Sequence, residues 1–358
     1  MTSRPPESNA PAPGSPAPGS HAPGSPVPLA QVLRSDEVES LHAGWLVLVD
    51  ADGQILAQFG DDAPIYTRSS LKPLQALPLI ATGGADRWGL TPEELAVTAA
   101  SHAGSRMHRE TVMSLLSKAG LSADQLECGT HMPYDEEAAR DLLCRGEAPT
   151  LLHCNCSGKH AGMLALARHM GWPTEGYHRL EHAVQQAVRE AVLAVTGVSP
   201  DALSHGIDGC GLPVWRMPIS ALARAFARLG RPETLPAPWQ EPARRIVEAM
   251  AAHPERVSGP GRFDTELMRL TGGRLVGKGG GEAVHAGIVR DRGWGWALKV
   301  ADGNRRATPP ALLALLDRLG GLTAEDRESL SRWMRPELSN NRQETVGAIV
   351  PAPSLTLS

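Results

Sequence analysis

The sequence predicts an α+β fold: an antiparallel sheet built from both ends of the globular region, with a helical group between them. Three observations carry this expectation. Hairpin signals stand near both ends, over residues 45–59 and 284–300. Amphipathic segments of helical period fill the interval. The motifs with chemical character fall at the junctions between the two kinds of segment. Strands from both ends with helices between them imply one sheet, a helical layer packed on it, and a site at the seam.

The elements follow in order. Residues 1–28 repeat a Pro-Ala-Pro-Gly-Ser phrase and hold too little apolar surface to offset their ordering entropy. They are expected to form a disordered tail, and residues 29–358 a single domain. The apolar runs 45–49 and 55–59 flank Ala51-Asp52-Gly53, a tight-turn signal. The spacing of Met107, Val112, Leu115 and Leu116 predicts a helix over 106–119, stopped by Gly120. Similar patterns predict helices over 178–195 and 239–250, with a proline-rich loop over 232–242. A second hairpin joins 284–289 to 294–300 through Asp291-Arg292-Gly293. Helices over 310–319 and 324–334 close the chain.

Composition narrows the function. Of 358 residues, 42% are hydrophobic and 21% charged, an ordinary globular balance. A net charge of -4 and the lack of any Lys/Arg run argue against nucleic-acid binding. No stretch approaches the roughly 18 apolar residues of a membrane span, and no secretory signal pattern opens the chain. Five cysteines without a disulfide-framework spacing read as reduced thiols in a cytoplasmic protein, with metal binding open to some of them.

Lysine is scarce, and that makes each one informative. Only five lysines stand among 35 Lys and Arg residues, and three of them sit in small-residue motifs. Arginine stays protonated, whereas a buried lysine can become a base or a ligand. Lys72 closes Ser69-Ser70-Leu71-Lys72 at an expected helix start. Residues at i and i+3 share a helix face, so Ser69 and Lys72 are expected to meet, the amine taking the serine proton. Serine acyl-transferases of the penicillin-binding type join S-x-x-K to a second serine motif and a lysine-glycine strand. Ser101-His102-Ala103-Gly104 and Lys278-Gly279-Gly280-Gly281 stand in that order here. A plainer reading also stands: Ser101 and His102 cap the helix at Arg106, and the glycines form a turn.

Two glycine-rich turns carry thiols. One is Cys154-Asn155-Cys156-Ser157-Gly158-Lys159-His160, the other Gly206-Ile207-Asp208-Gly209-Cys210. Two cysteines beside a nitrogen base suit zinc, although no paired CxxC of a zinc ribbon is present. Buried, inert cysteine is the alternative, and Cys128 and Cys144 read as structural. His102 and His160, the two histidines inside motifs, read as orienting residues rather than ligands.

These motifs together resemble the rhizobial-type (class 3, asparaginase II-like) L-asparaginases. The resemblance spans about residues 44–302 and rests on five ordered segments: 68–76, 101–104, 155–162, 206–210 and 278–282. It implies a fold similar to serine β-lactamases and glutaminases, and hydrolysis of L-asparagine to L-aspartate and ammonia. It implies two serine-lysine pairs, Ser69 with Lys72 and Ser101 with Lys278. It further implies a zinc held by Cys156, Lys159 and Cys210, and Arg68, His160 and Asp208 on the substrate. A cytoplasmic homodimer is expected, with no nucleic-acid or membrane partner. A penicillin-recognising amidase, a glutaminase on the same fold and a non-catalytic zinc module are the alternatives. Asp264 departs from the resemblance, since at least some family members carry a cysteine near that position.

Overall fold

The structure, a computed structural model, describes residues 24–356. Residues 1–23 of the expected tail lie outside the described residues. Val27 and Pro28 already belong to the first strand.

The expected α+β architecture is present, and both termini complete the sheet. Its strands are β1 (Val27–Arg34), β2 (Glu37–Val49), β3 (Ile55–Phe59), β7 (Leu275–Gly279), β8 (Val284–Val289), β9 (Trp294–Val300), β10 (Glu337–Ser339) and β11 (Thr345–Pro351). They run in the order β10-β11-β1-β2-β9-β8-β7, with β3 paired to β2, and every pairing is antiparallel. A separate three-stranded sheet joins β4 (Pro64–Tyr66), β6 (Pro213–Pro218) and β5 (Ser204–Ile207).

The apolar run of β2 explains how the layers stack. Trp45, Val47 and Val49 join one core, beneath the helix Ile219–Gly230 and the helical group. Leu46 and Leu48 alternate into a second core with Leu312, Leu315 and Leu316 of the helix Thr308–Arg318. Successive strand side chains point to opposite faces, so a continuous apolar run marks a strand buried on both sides.

Both expected hairpins form as β2–β3 and β8–β9. The helix expected over 106–119 runs Arg106–Lys118, and Gly120 adopts a left-handed φ of +67° just beyond it. Three expectations need correction. The helix expected from 178 begins at Ala183, because His182 caps it by accepting from Val184 N–H. The second half of the expected proline-rich loop is helix, since Ala237–Ala252 starts within it. Proline is tolerated in a first turn, where its missing N–H has no partner to lose. The segment expected as one helix over 324–334 divides into Ala324–Ser329 and Ser331–Met334.

Candidate active site

The site lies where the glycine-rich end of β7 meets the heads of several helices. A cavity of about 520 Å³ opens there, lined by Ser69, Ser101, Lys278, Arg68, Asp208, Cys156 and Cys210 among others. Lys72, Lys159 and His160 do not line it. They lie behind its wall, at 0%, 3% and 0% exposure.

The Ser69 segment is a 3₁₀ turn, Arg68–Leu71, leading directly into α1 (Lys72–Ala81). Arg68 holds a left-handed φ of 49°, uncommon for a residue with a Cβ. Two anchors keep it there. Thr67 donates both its N–H and its hydroxyl to the Trp215 carbonyl. The Arg68 guanidinium forks onto Asp208 Oδ1 at 2.9 and 2.8 Å. Gly280 lies against the same turn, and a Cβ there would come 3.2 Å from the Ser69 nitrogen. A side chain at that position would press on the Ser69 and Ser70 N–H groups, which would have to shift by a few tenths of an ångström.

The lysine pairing differs from the expectation. Lys72 Nζ donates to Ser101 Oγ at 2.9 Å, to the Ala100 carbonyl at 2.5 Å and to Cys156 Sγ at 3.2 Å. Ser69 is not among its partners. The cause is where α1 begins: Lys72 is its first residue and is wholly buried, while Ser69 stays half-buried on the turn before it. The fold returns Ser101 to the lysine from the loop after the helix Pro92–Thr98, held by Ser101 N–H to the Val257 carbonyl. Lys278 Nζ donates to the Gly279 carbonyl at 2.6 Å and stands 3.8 Å from Asp264 Oδ2. Burial pushes its ammonium down to about 7, against the opposing pull of Asp264.

The thiols form a connected array. Cys156, at the head of the helix Ser157–Met170, lies beside the thiols of Cys154 and Cys210. These two contacts, with the charges of Lys72 and Lys159, hold the Cys156 thiol well below its ordinary value despite burial. Lys159 Nζ donates to Cys210 Sγ at 3.4 Å. Burial would push the Lys159 ammonium down, but Cys210, Cys156 and Asp208 together hold it above its ordinary value. Two thiols and an ammonium thus meet at the cavity wall, and the residues are of the kinds that hold zinc only once Lys159 sheds its proton. Cys128 is no isolated structural residue, since it lines the cavity and bonds with Cys154. Cys144 is exposed and apart from the site.

The histidines are fixed by their neighbours. Gly104 N–H donates to His102 Nδ1, so Nε2 carries the proton and donates to Ser157 Oγ at 2.9 Å. Glu127 N–H donates to the Tyr177 hydroxyl oxygen, whose O–H then serves His160 Nδ1 at 2.7 Å. His160 supports the wall and is displaced from the cavity itself, so its expected place on the substrate is not what the geometry gives. The sequence reading singled out Asp264 only as a departure from the resemblance, without a role, and gave none to His285, Arg262 and Tyr134, all of which line the cavity. No spacing marks them, because they come from separate elements.

The cavity at the seam of sheet and helices is thus walled by two serines, the buried Lys278 and an arginine–carboxylate pair. The sequence model of the family described as L-asparaginase II matches residues 30–351, and the chain belongs to that family. No curated protein matches the chain. A crystal structure of Mglu in its native form, in the presence of 4.3 M NaCl, aligns with a TM-score of 0.34 and 16% identity. The alignment covers 80% of this chain and 63% of that one, so the chain spans less than two thirds of that protein.

Proposed function

We propose that the protein hydrolyses the side-chain amide of L-asparagine, giving L-aspartate and ammonia, through serine-lysine catalysis. The observation that carries this reading is that Ser69, Ser101 and Lys278 line one cavity while Lys72, buried behind its wall, places Nζ 2.9 Å from Ser101 Oγ.

Ser69 is the nucleophile. It is half-buried in the cavity wall, and its N–H lies uncrowded beside Gly280. Ser69 Oγ attacks the amide carbon and passes its proton to Lys278, whose amine is substantially neutral near pH 7. The carbonyl oxygen gains negative charge as the C–O bond forms, and a backbone donor such as the Ser69 N–H is typically worth about 3 kcal/mol there. As the C–N bond breaks, Ser101 Oγ protonates the leaving nitrogen and is resupplied by Lys72. Water then cleaves the ester through the same groups in reverse. Arg68 and Asp208 at the rim suit the charged head of an amino acid. The Lys72–Ser101 contact also favours a second reading, in which Ser101 attacks and Lys72 is its base.

Cys156, Lys159 and Cys210 would hold zinc, which supplies a fixed positive charge that orders the pocket. Ammonia release from a panel of amides tests the function. Turnover of asparagine above glutamine is expected, and turnover of neither would reject the reading. Hydrolysis of a β-lactam instead would point to the penicillin-recognising alternative.

A further inference from the structure

Lys278 stands in a buried polar chain that the reaction scheme does not use. Trp296 Nε1 can only donate, and it donates to His285 Nδ1 at 3.1 Å. That bond settles the tautomer: the His285 proton sits on Nε2, which donates to Asp264 Oδ1 at 3.2 Å. The other oxygen, Asp264 Oδ2, accepts from Gly279 N–H at 2.8 Å and faces Lys278 Nζ at 3.8 Å. All four side chains are buried, with Trp296 at 0%, His285 at 3%, Asp264 at 8% and Lys278 at 1% exposure. Gly277 makes room for the histidine, since a Cβ there would lie 2.9 Å from His285 Cε1.

The charges around the chain are arranged to one end. Burial would push the Asp264 carboxyl up, but the His285 N–H, the Lys278 charge and the Gly279 N–H together hold it well below the usual carboxylate range. Asp264 is therefore an anion at working pH. The charges that most disfavour the Lys278 ammonium are Lys72 on α1, Arg262 at the head of the helix Phe263–Leu270, and Arg305 before the helix Thr308–Arg318. His285 reaches the same place from β8 through Asp264. Among the described residues, Asp264 is the anion with the largest effect on this amine, set against burial and the charges of Lys72, Arg262 and Arg305.

We propose that Asp264, clamped by His285 and Trp296, is the positioning residue for Lys278, holding its amine at the cavity wall and supplying the counter-charge for its protonated form. Removing the charge leaves burial and the neighbouring cations opposed by the Gly279 carbonyl without the carboxylate, so Lys278 loses its proton at lower pH. The proposal rests on Lys278 serving as the base, and the test separates the two claims.

The full chain, labelled with ¹³C at lysine Cε, carries only five lysines to resolve. The Lys278 signal, identified by its loss in Lys278→Arg, should titrate near pH 7 in the wild type. In Asp264→Asn its midpoint should fall by about one unit or more. The acid limb of kcat/KM for L-asparagine should fall by the same amount. A midpoint that moves while the kinetic limb stays put upholds the role of Asp264 and removes Lys278 as the base. A midpoint that does not move overturns the proposal. Should Asp264→Asn fail to fold, the wild type decides alone: the Asp264 carboxyl carbon should show an inflection at the Lys278 midpoint, and a flat trace there overturns the proposal.

Discussion

Lys72 Nζ and Ser101 Oγ stand 2.9 Å apart, which joins two motifs that lie 29 residues apart in the chain. The contact makes Ser101 the hydroxyl in direct exchange with a lysine, while Ser69 faces the cavity without that partner. The two serines therefore have separable roles.

Ser69→Ala should lower kcat for asparagine by more than about 10³-fold with the fold intact by circular dichroism. Ser101→Ala should be similarly inactive in steady state, because residues acting as a unit are not additive. Rapid quenching with an activated acyl substrate and mass analysis of the peptides distinguishes them. The ester should appear on Ser69 in the Ser101→Ala enzyme. An ester on Ser101 in the Ser69→Ala enzyme would transfer the nucleophile to Ser101.

Lys72→Arg and Lys278→Arg should each cost at least about 10²-fold in kcat/KM, the usual worth of a placed proton donor or acceptor. Arginine keeps the charge but cannot pass the proton. Both sites are also wholly buried, and Arg262 and Arg305 already place positive charge near Lys278. Activity near the wild-type level in either variant would show that a fixed cation suffices there. Far-ultraviolet circular dichroism guards against mistaking misfolding for lost chemistry.

The lysines show how far the sequence was legible. Lys72, Lys159 and Lys278 are all buried around the site, whereas Lys118 binds Glu94 at 31% side-chain exposure and Lys299 is half-exposed. A buried lysine costs stability, so scarcity marked the three that matter. The hairpins were legible for a similar local reason, since apolar runs around a tight turn encode them. Partnership was not legible. Which serine meets Lys72 depends on how residue 101 returns beside α1, and no spacing within either motif specifies that. Asp264 stood out in the sequence only as a departure from the family pattern, and its role was not legible for the same reason: its meaning comes from β7 and β8, which meet it only in the folded chain.

Zinc should co-purify at roughly one ion per chain, held by Cys156, Lys159 and Cys210. The support is the contact of Lys159 Nζ with Cys210 Sγ and the lowered Cys156 thiol. A lysine ligand must shed its proton, so affinity should fall with acid more steeply than two thiolates require. Metal analysis of the wild type against the Cys156→Ser/Cys210→Ser double variant checks this. Equal zinc in both would reject the site.

The paired histidines His102 and His108 should make the fold acid-sensitive well above the carboxylate range. Their rings stack with centroids 4.9 Å apart. Each has a fully engaged neutral form: His108 donates Nε2–H to the Glu255 carbonyl at 2.9 Å and accepts the Ser105 hydroxyl on Nδ1 at 2.7 Å. Burial lowers His108 from its ordinary 6.5 to about 4 and pushes His102 well down as well, with the charge of His108 further disfavouring that of His102. Between those values the unfolded chain binds protons that the folded chain refuses, so stability is full above about pH 6.5 and drains as pH falls. His108 alone accounts for about 3 kcal/mol by pH 4, at about 1.4 kcal/mol per unit. Urea unfolding at pH 7 and pH 5 should therefore differ by more than about 1 kcal/mol, before any carboxylate titrates. His108→Gln should lower stability at pH 7, because it breaks the two hydrogen bonds, and should flatten the slope between pH 7 and pH 5. An undiminished slope in that variant would assign the acid sensitivity to other groups.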